Sequence, residues 1–173
     1  MKVNLHIISV FLLLLISMGK VSAQSDYSPK TNVIYYFTKY LKWPENTSTG
    51  NFVIGVYKDD LIYEELKKGI TGRRVGNQRI VISKINDIDP ENLHVSILYI
   101  GTERLKEIQK LIDITQHEPV LIITQTSGTT LKGVCMNMTV IDDKVKLEID
   151  KSITEARGIK IASELLAFQK TNH

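Results

Sequence analysis

The sequence has a single cysteine, Cys135, so no disulfide can form within the chain and stability has to come from a packed core. The thiol is expected to be half-buried and free, with an intermolecular disulfide left open. Long apolar runs are equally scarce. Ile7 to Met18 is about a dozen residues long, short of the ~20 that span a bilayer. No cysteine follows it, which argues against a lipid anchor. Lys2 precedes the run, and Val21-Ser22-Ala23 offers the small residues of a peptidase site. Residues 1–23 therefore read as a cleaved secretory signal peptide and 24–173 as one exported domain, with no later segment able to insert in a membrane. An excess of one charge is missing too. Removing Lys2 and Lys20 from 22 basic residues leaves 20, against 19 acidic ones, so there is no electrostatic footprint for nucleic acid.

Catalytic constellations are also absent. After the leader the histidines are His94, His117 and His173, none spaced as a metal pair, and there is no HExxH or CxxC. No GxSxG elbow is present. Cys135 has no base beside it in sequence, and its strand position suits a nucleophile poorly. Gly128 to Gly133 lacks the order of glycines and lysine of a phosphate loop. Asp87, Asp89 and Glu91 are interrupted by Pro90 and make no complete calcium set. These lacks exclude no partner protein, and they predict a non-enzymatic chain without cofactor or metal.

What the sequence does have is pattern. Asn32 to Trp43 is dense in aromatics. Wound as a helix, it places Val33, Ile34, Tyr36, Phe37, Tyr40, Leu41 and Trp43 on an arc of about 180°, which suits a helix lying on a sheet. Ser28 is a natural N-cap before Pro29, and Pro44 ends the helix. The whole arc is expected to be core, with Phe37 buried. Phe52–Tyr57, Ile80–Ile85, His94–Ile100 and Pro119–Thr124 are apolar runs of strand length. Between the first two, Asp59 or Asp60 caps a helix, Leu61–Lys68, that Gly69 closes. Arg73–Gln78 is a polar connection within a basic cluster. Another helix runs from Gly101-Thr102 to about Thr115. The ending changes period. Val134–Val140 and Val145–Ile149 alternate about Asp142-Asp143, predicting an antiparallel hairpin. Ser152 to Glu155 has the capping-box pattern, Gly158 closes that helix, and Ser163 opens a last one through Phe168. The sum is a single α/β domain. A mostly parallel central sheet is flanked by helices and followed by an antiparallel hairpin and a short terminal helix.

The best site candidate is the loop Gln125–Lys132, which follows a buried strand and so lies at the carboxyl end of the sheet, where open α/β sheets bind ligands. Thr126, Ser127, Gly128 and Asn137 are its candidate ligand-binding residues. The plainer alternative is a surface connection.

Several motifs then fall in order. Tyr36-Phe-Thr-Lys-Tyr-Leu-Lys-Trp43-Pro44 with Phe52-Val-Ile-Gly-Val resembles the "NFAKFVEWP…FVIGV" opening of the YfiR-like bacterial periplasmic family. Ile70 to Arg79, His94 to Gly101, Gly133 to Met138, Lys144 to Asp150 and Gly158 to Ala167 resemble its later motifs, with Asn77-Gln78 inserted and Asp150 where asparagine is usual. The resemblance covers Asn32 to Phe168. It implies a periplasmic, non-enzymatic regulator that binds and represses the sensor domain of an inner-membrane signalling protein, such as a diguanylate cyclase or sensor histidine kinase. The segment Glu155 to Leu166 and the loop Gln125–Lys132 are the expected contact surfaces with that partner; Glu155, Gly158, Ile161 and Leu165 are the candidate contacts, and Gly158, Ile161 and Leu165 match the family's C-terminal pattern. A small-ligand module is the alternative function, and homodimerisation is left open.

Overall fold

The computed structural model describes residues 28–91, 93–101, 106–126, 131–141 and 144–171, the side chains of 168–171 excepted. The leader, Thr102, Ser127, Gly128, the Asp142-Asp143 turn and His173 lie outside the described residues.

Helix α1 is Pro29–Tyr40, with the Ser28 side chain accepting the Thr31 N–H and Pro29 in the first turn. Strand β1 (Leu41–Lys42) follows, then a short 3-10 turn (Glu45–Thr47) and β2 (Phe52–Tyr57). Helix α2 is Asp60–Ile70, capped by Asp59. The chain continues through β3 (Arg74–Val75), β4 (Gln78–Ile85), β5 (Ile97–Ile100), α3 (Ile108–Thr115) and β6 (Leu121–Thr124). β7 (Met136–Ile141), β8 (Lys144–Ile149), α4 (Lys151–Ala156), β9 (Lys160–Ile161) and α5 (Ser163–Thr171) complete it.

The main sheet has seven strands in the order β3-β4-β2-β5-β6-β7-β8. From β4 to β7 neighbours are parallel, and the two outer strands are antiparallel. The apolar runs explain the middle: every residue of β5 and β6 is buried, as a parallel strand covered on both faces requires. Both strands start later than their apolar runs. Pro119 has no N–H to give, and the lead-in is held by single bonds instead, Ser96 N–H to Val53 (2.8 Å) and Leu121 N–H to Ser96 (3.0 Å).

Tertiary pairing moves other boundaries. The first helix stops at Tyr40 and does not reach Trp43. Leu41 and Lys42 pair antiparallel with Ile161 and Lys160, and the Tyr40 carbonyl accepts the Ala162 N–H at 2.9 Å. The last helical turn is traded for a ladder with a segment far along the chain. Gly69 does not close α2 but lies buried within it, and Gly72 (φ +79°) takes the left-handed turn. The polar connection Arg73–Gln78 is a tight hairpin of β3 on β4, turning at Gly76 (φ +55°) and Asn77.

The aromatic arc is only partly core. Ile34 and Phe37 are sealed, and so are Thr31 and Thr38, whereas Tyr36 and Tyr40 are 54% and 37% exposed. Buried threonine is tolerated because its hydroxyl finds a local partner; Thr38 donates to the Tyr35 carbonyl at 2.7 Å. The buried stripe is therefore rotated away from Tyr36 and Tyr40. Trp43 packs edge-on against Phe52 and donates its indole N–H to the Ser96 carbonyl.

Helix α4 is capped by Asp150, two residues before the expected Ser152. The Asp150 carboxylate accepts the Ile153 N–H at 2.9 Å, and its carbonyl takes the Thr154 hydroxyl at 2.7 Å. The far end closes as expected: Gly158 N–H reaches the Glu155 carbonyl and Ile159 N–H the Thr154 carbonyl. Gly158 sits at φ +77°, and a Cβ there would come within 3.1 Å of Pro44. Gly158→Ala is expected to destabilise the fold by about 1–2 kcal/mol for the left-handed backbone alone. Its urea midpoint should fall with an unchanged slope.

Candidate functional site

At the carboxyl end of the sheet, β6 and β7 bring Thr124 and Asn137 into cross-strand register. Asn137 is buried, and its carboxamide is the hub of a small polar network. The oxygen accepts the Thr126 N–H (2.9 Å), the Thr126 hydroxyl (3.0 Å) and the Thr124 hydroxyl (3.1 Å). The amide nitrogen donates to the Thr126 carbonyl (3.2 Å) and Glu148 (3.4 Å). The structure thus brings two of the four ligand-binding candidates together, and it engages them with each other. Ser127 and Gly128 lie outside the described residues. Nearby, the buried Tyr99 donates its hydroxyl to Gln125 at 2.8 Å. Burial first, then the negative Asp59 and Glu65, push the phenol's pKa well above its ordinary value, so it acts as a neutral donor.

Glu155 and Gly158 are exposed at the end of α4, Ile161 is half-buried in β9, and Leu165 is buried on α5. Glu155 meets Lys151 at 3.7 Å, an exposed i,i+4 pair worth a few tenths of a kcal/mol, about 0.3. Leu165 has a further role. With Val33, Tyr36, Phe37 and Tyr40 of α1, Leu147 of β8 and Glu164, it lines an apolar groove of about 350 Å³. The Tyr36 and Tyr40 rings stand 6.3 Å apart along its wall. Sequence periodicity placed these tyrosines on the apolar side of α1 but could not show that nothing in the described residues covers them. Tyrosine is among the side chains enriched at protein–protein interfaces.

A second cleft, about 380 Å³, opens at the opposite, amino end of the parallel strands. Trp43, His94, Ser96, Thr115 and Glu118 are among its lining residues. Behind Thr115 lies Arg157, a buried guanidinium that sequence reading did not single out. It donates to the Thr115 carbonyl and hydroxyl. Burial lowers its pKa, and the nearby Cys135 acts the other way. The Cys135 thiol is fully buried, not half-buried, and burial raises its pKa. A thiol so placed is neither an accessible nucleophile nor positioned for an intermolecular disulfide in the native fold.

Among the described residues no helix is long and apolar enough to cross a membrane. No curated protein matches the chain. A family model described as YfiR/HmsC-like matches residues 27–168. That span is most of the chain and includes the amino-end cleft, the Asn137 network and the groove beneath Tyr36 and Tyr40; the chain belongs to the YfiR/HmsC-like family.

Proposed function

We propose that this chain is an exported, non-enzymatic regulator of cyclic-di-GMP or related signalling. It binds the periplasmic sensor domain of an inner-membrane diguanylate cyclase or sensor kinase and represses it. Family membership carries this reading. The groove between α1 and α5 gives it a surface: Tyr36, Tyr40 and Leu165 would hold an apolar element of the sensor, with Glu155, Gly158 and Ile161 on the same C-terminal segment. Repression then needs only a difference in affinity for two states of the sensor, which shifts its population.

The test is crosslinking and pull-down of the exported chain from membranes. The wild-type chain should recover a membrane-spanning cyclase or kinase, and failure to recover any signalling protein would sink the reading. Tyr36→Ser combined with Tyr40→Ser should remain folded with a urea midpoint lowered only modestly, because both side chains are partly exposed, yet lose recovery by about tenfold or more, the scale of an interface hot spot.

The amino-end cleft favours a second reading, a small-ligand module, since about 380 Å³ is the size of a small-molecule site. The carboxyl-end candidates Thr126, Ser127, Gly128 and Asn137 belong to the same reading. A thermal-shift screen discriminates, because a ligand of the native state raises the midpoint.

A further inference from the structure

From Leu66 to Asn86 the chain has six basic residues and no acidic one, although its charges nearly balance overall. Lys84 is neutralised by Asp60 at 2.9 Å. The other five, Lys67, Lys68, Arg73, Arg74 and Arg79, are exposed. Lys67 and Lys68 end α2, where the helix dipole favours cations. That reason does not extend to the arginines. Thr71 and Gly72 carry the chain directly into the β3–β4 hairpin at the edge of the sheet, so the five crowd one corner of the fold. Arg74 and Arg79 are paired directly across the hairpin, and like charges so opposed cost stability. Among the described residues none of Lys67, Lys68, Arg74 and Arg79 meets a carboxylate. Arg73 lies over the Tyr35 ring of α1 at 4.6 Å, and Lys39 reaches the same ring at 5.2 Å, which adds another cation to the corner. Lys67 lies over the Tyr63 ring at 5.4 Å.

We propose that this corner is a docking surface for an anionic phospholipid bilayer, by which the chain lies against the membrane without entering it. Shape selects a surface over a small anion. A bound metabolite or free phosphate calls for a concave site, and none of the five residues lines the amino-end cleft or the groove. They stand instead on a helix end and an edge hairpin, where long exposed side chains suit a flat layer of phosphates. Each basic residue held near an anionic leaflet strengthens attachment about fivefold. Tyr35 and Tyr63, half-buried beside their cations, add amphipathic rings of the kind found at headgroup level. The hairpin tip, Gly76-Asn77, has no apolar side chain to insert, so the attachment is electrostatic and reversible. Tyr35 and Tyr36 leave α1 about 100° apart, so seating the corner leaves the groove beneath Tyr36 and Tyr40 on another flank. The docking stands independently of what the groove binds.

Co-sedimentation with protein-free vesicles tests this apart from any sensor protein. In about 0.1 M salt the exported chain should pellet with vesicles of equal parts phosphatidylglycerol and phosphatidylcholine, and stay in solution with phosphatidylcholine alone. Attachment should vanish at about 1 M salt, where the screening length falls to about 3 Å. Arg74→Gln with Arg79→Gln, and separately Lys67→Gln with Lys68→Gln, should each weaken attachment by about tenfold or more. All four side chains are exposed, so both variants should keep their urea midpoint. Lys110→Gln with Lys144→Gln removes as much charge from α3 and β8 and should attach like the wild-type chain. Equal attachment to both kinds of vesicle, or equal losses in the corner and control variants, would overturn the proposal. So would release by millimolar inorganic phosphate, which would mark a small-oxyanion site. Indifference to the anionic vesicles would overturn it as well, and retention on immobilised polyglutamate in that case would assign the corner to an acidic protein segment.

Discussion

Replacing Asn137 by alanine is expected to destabilise the folded protein by about 3 kcal/mol, even with no ligand present. The carboxamide is buried and serves five contacts. Without it, the Thr126 N–H and carbonyl lose a bond each, and the hydroxyls of Thr124 and Thr126 lose their common acceptor. Each buried polar group left unpaired costs about 1–3 kcal/mol, and relaxation or an entering water recovers part of the sum. Asn137→Asp should do no better. A carboxylate keeps the acceptors but cannot donate to the Thr126 carbonyl, and it adds negative charge close to Glu148. Urea denaturation of the ligand-free chain measures both. An unchanged midpoint would remove the structural role of Asn137 and strengthen its reading as a ligand-binding residue.

The second large effect is expected at Phe37. Its ring is fully buried in α1, within the same core as Ile34 and Leu41. Phe37→Ala removes the ring and leaves a cavity that the surrounding side chains fill only in part, a loss of about 4 kcal/mol. The adjacent change Tyr36→Ala, on a ring that is half exposed, should stay within about 1 kcal/mol. The contrast between neighbours on one helix is the measurement: thermal unfolding of the two variants side by side. Equal losses would mean that the groove wall is closed and that the tyrosines belong to the core. A much smaller loss at Phe37 would show that this end of α1 is loosely packed.

The strands were legible because their signals are local. Phe52–Tyr57 reads as a buried parallel strand from its apolar run alone. The β7–β8 hairpin is visible in the alternation of Met136, Met138 and Val140 with Val145, Leu147 and Ile149. The N-cap at Ser28 and the closure at Gly158 are also local, since each depends on a side chain or a φ angle within one turn. The candidate site was less legible. Thr126 and Asn137 could be chosen as polar residues at the right end of the sheet. That they satisfy each other depends on β6 and β7 lying side by side in one register, which no short window of sequence contains. Arg157 was missed for a similar reason: its charge reads as surface, and it is buried because its guanidinium reaches the end of α3.

By itself, then, the sequence determined the α/β class, the parallel centre, the antiparallel hairpin and the family resemblance. All four rest on periodicity and order along the chain. The tertiary structure decided which flank of α1 is buried and where that helix ends. Helical periodicity fixes which residues share a side, but a neighbouring element decides how much of that side it covers. Here β9 takes the backbone at Leu41 and Lys42, and the packed stripe turns toward Thr31, Ile34, Phe37 and Thr38. Tyr36 and Tyr40 are left at the surface, and an aromatic stretch that reads as core in sequence becomes in part the wall of an open groove.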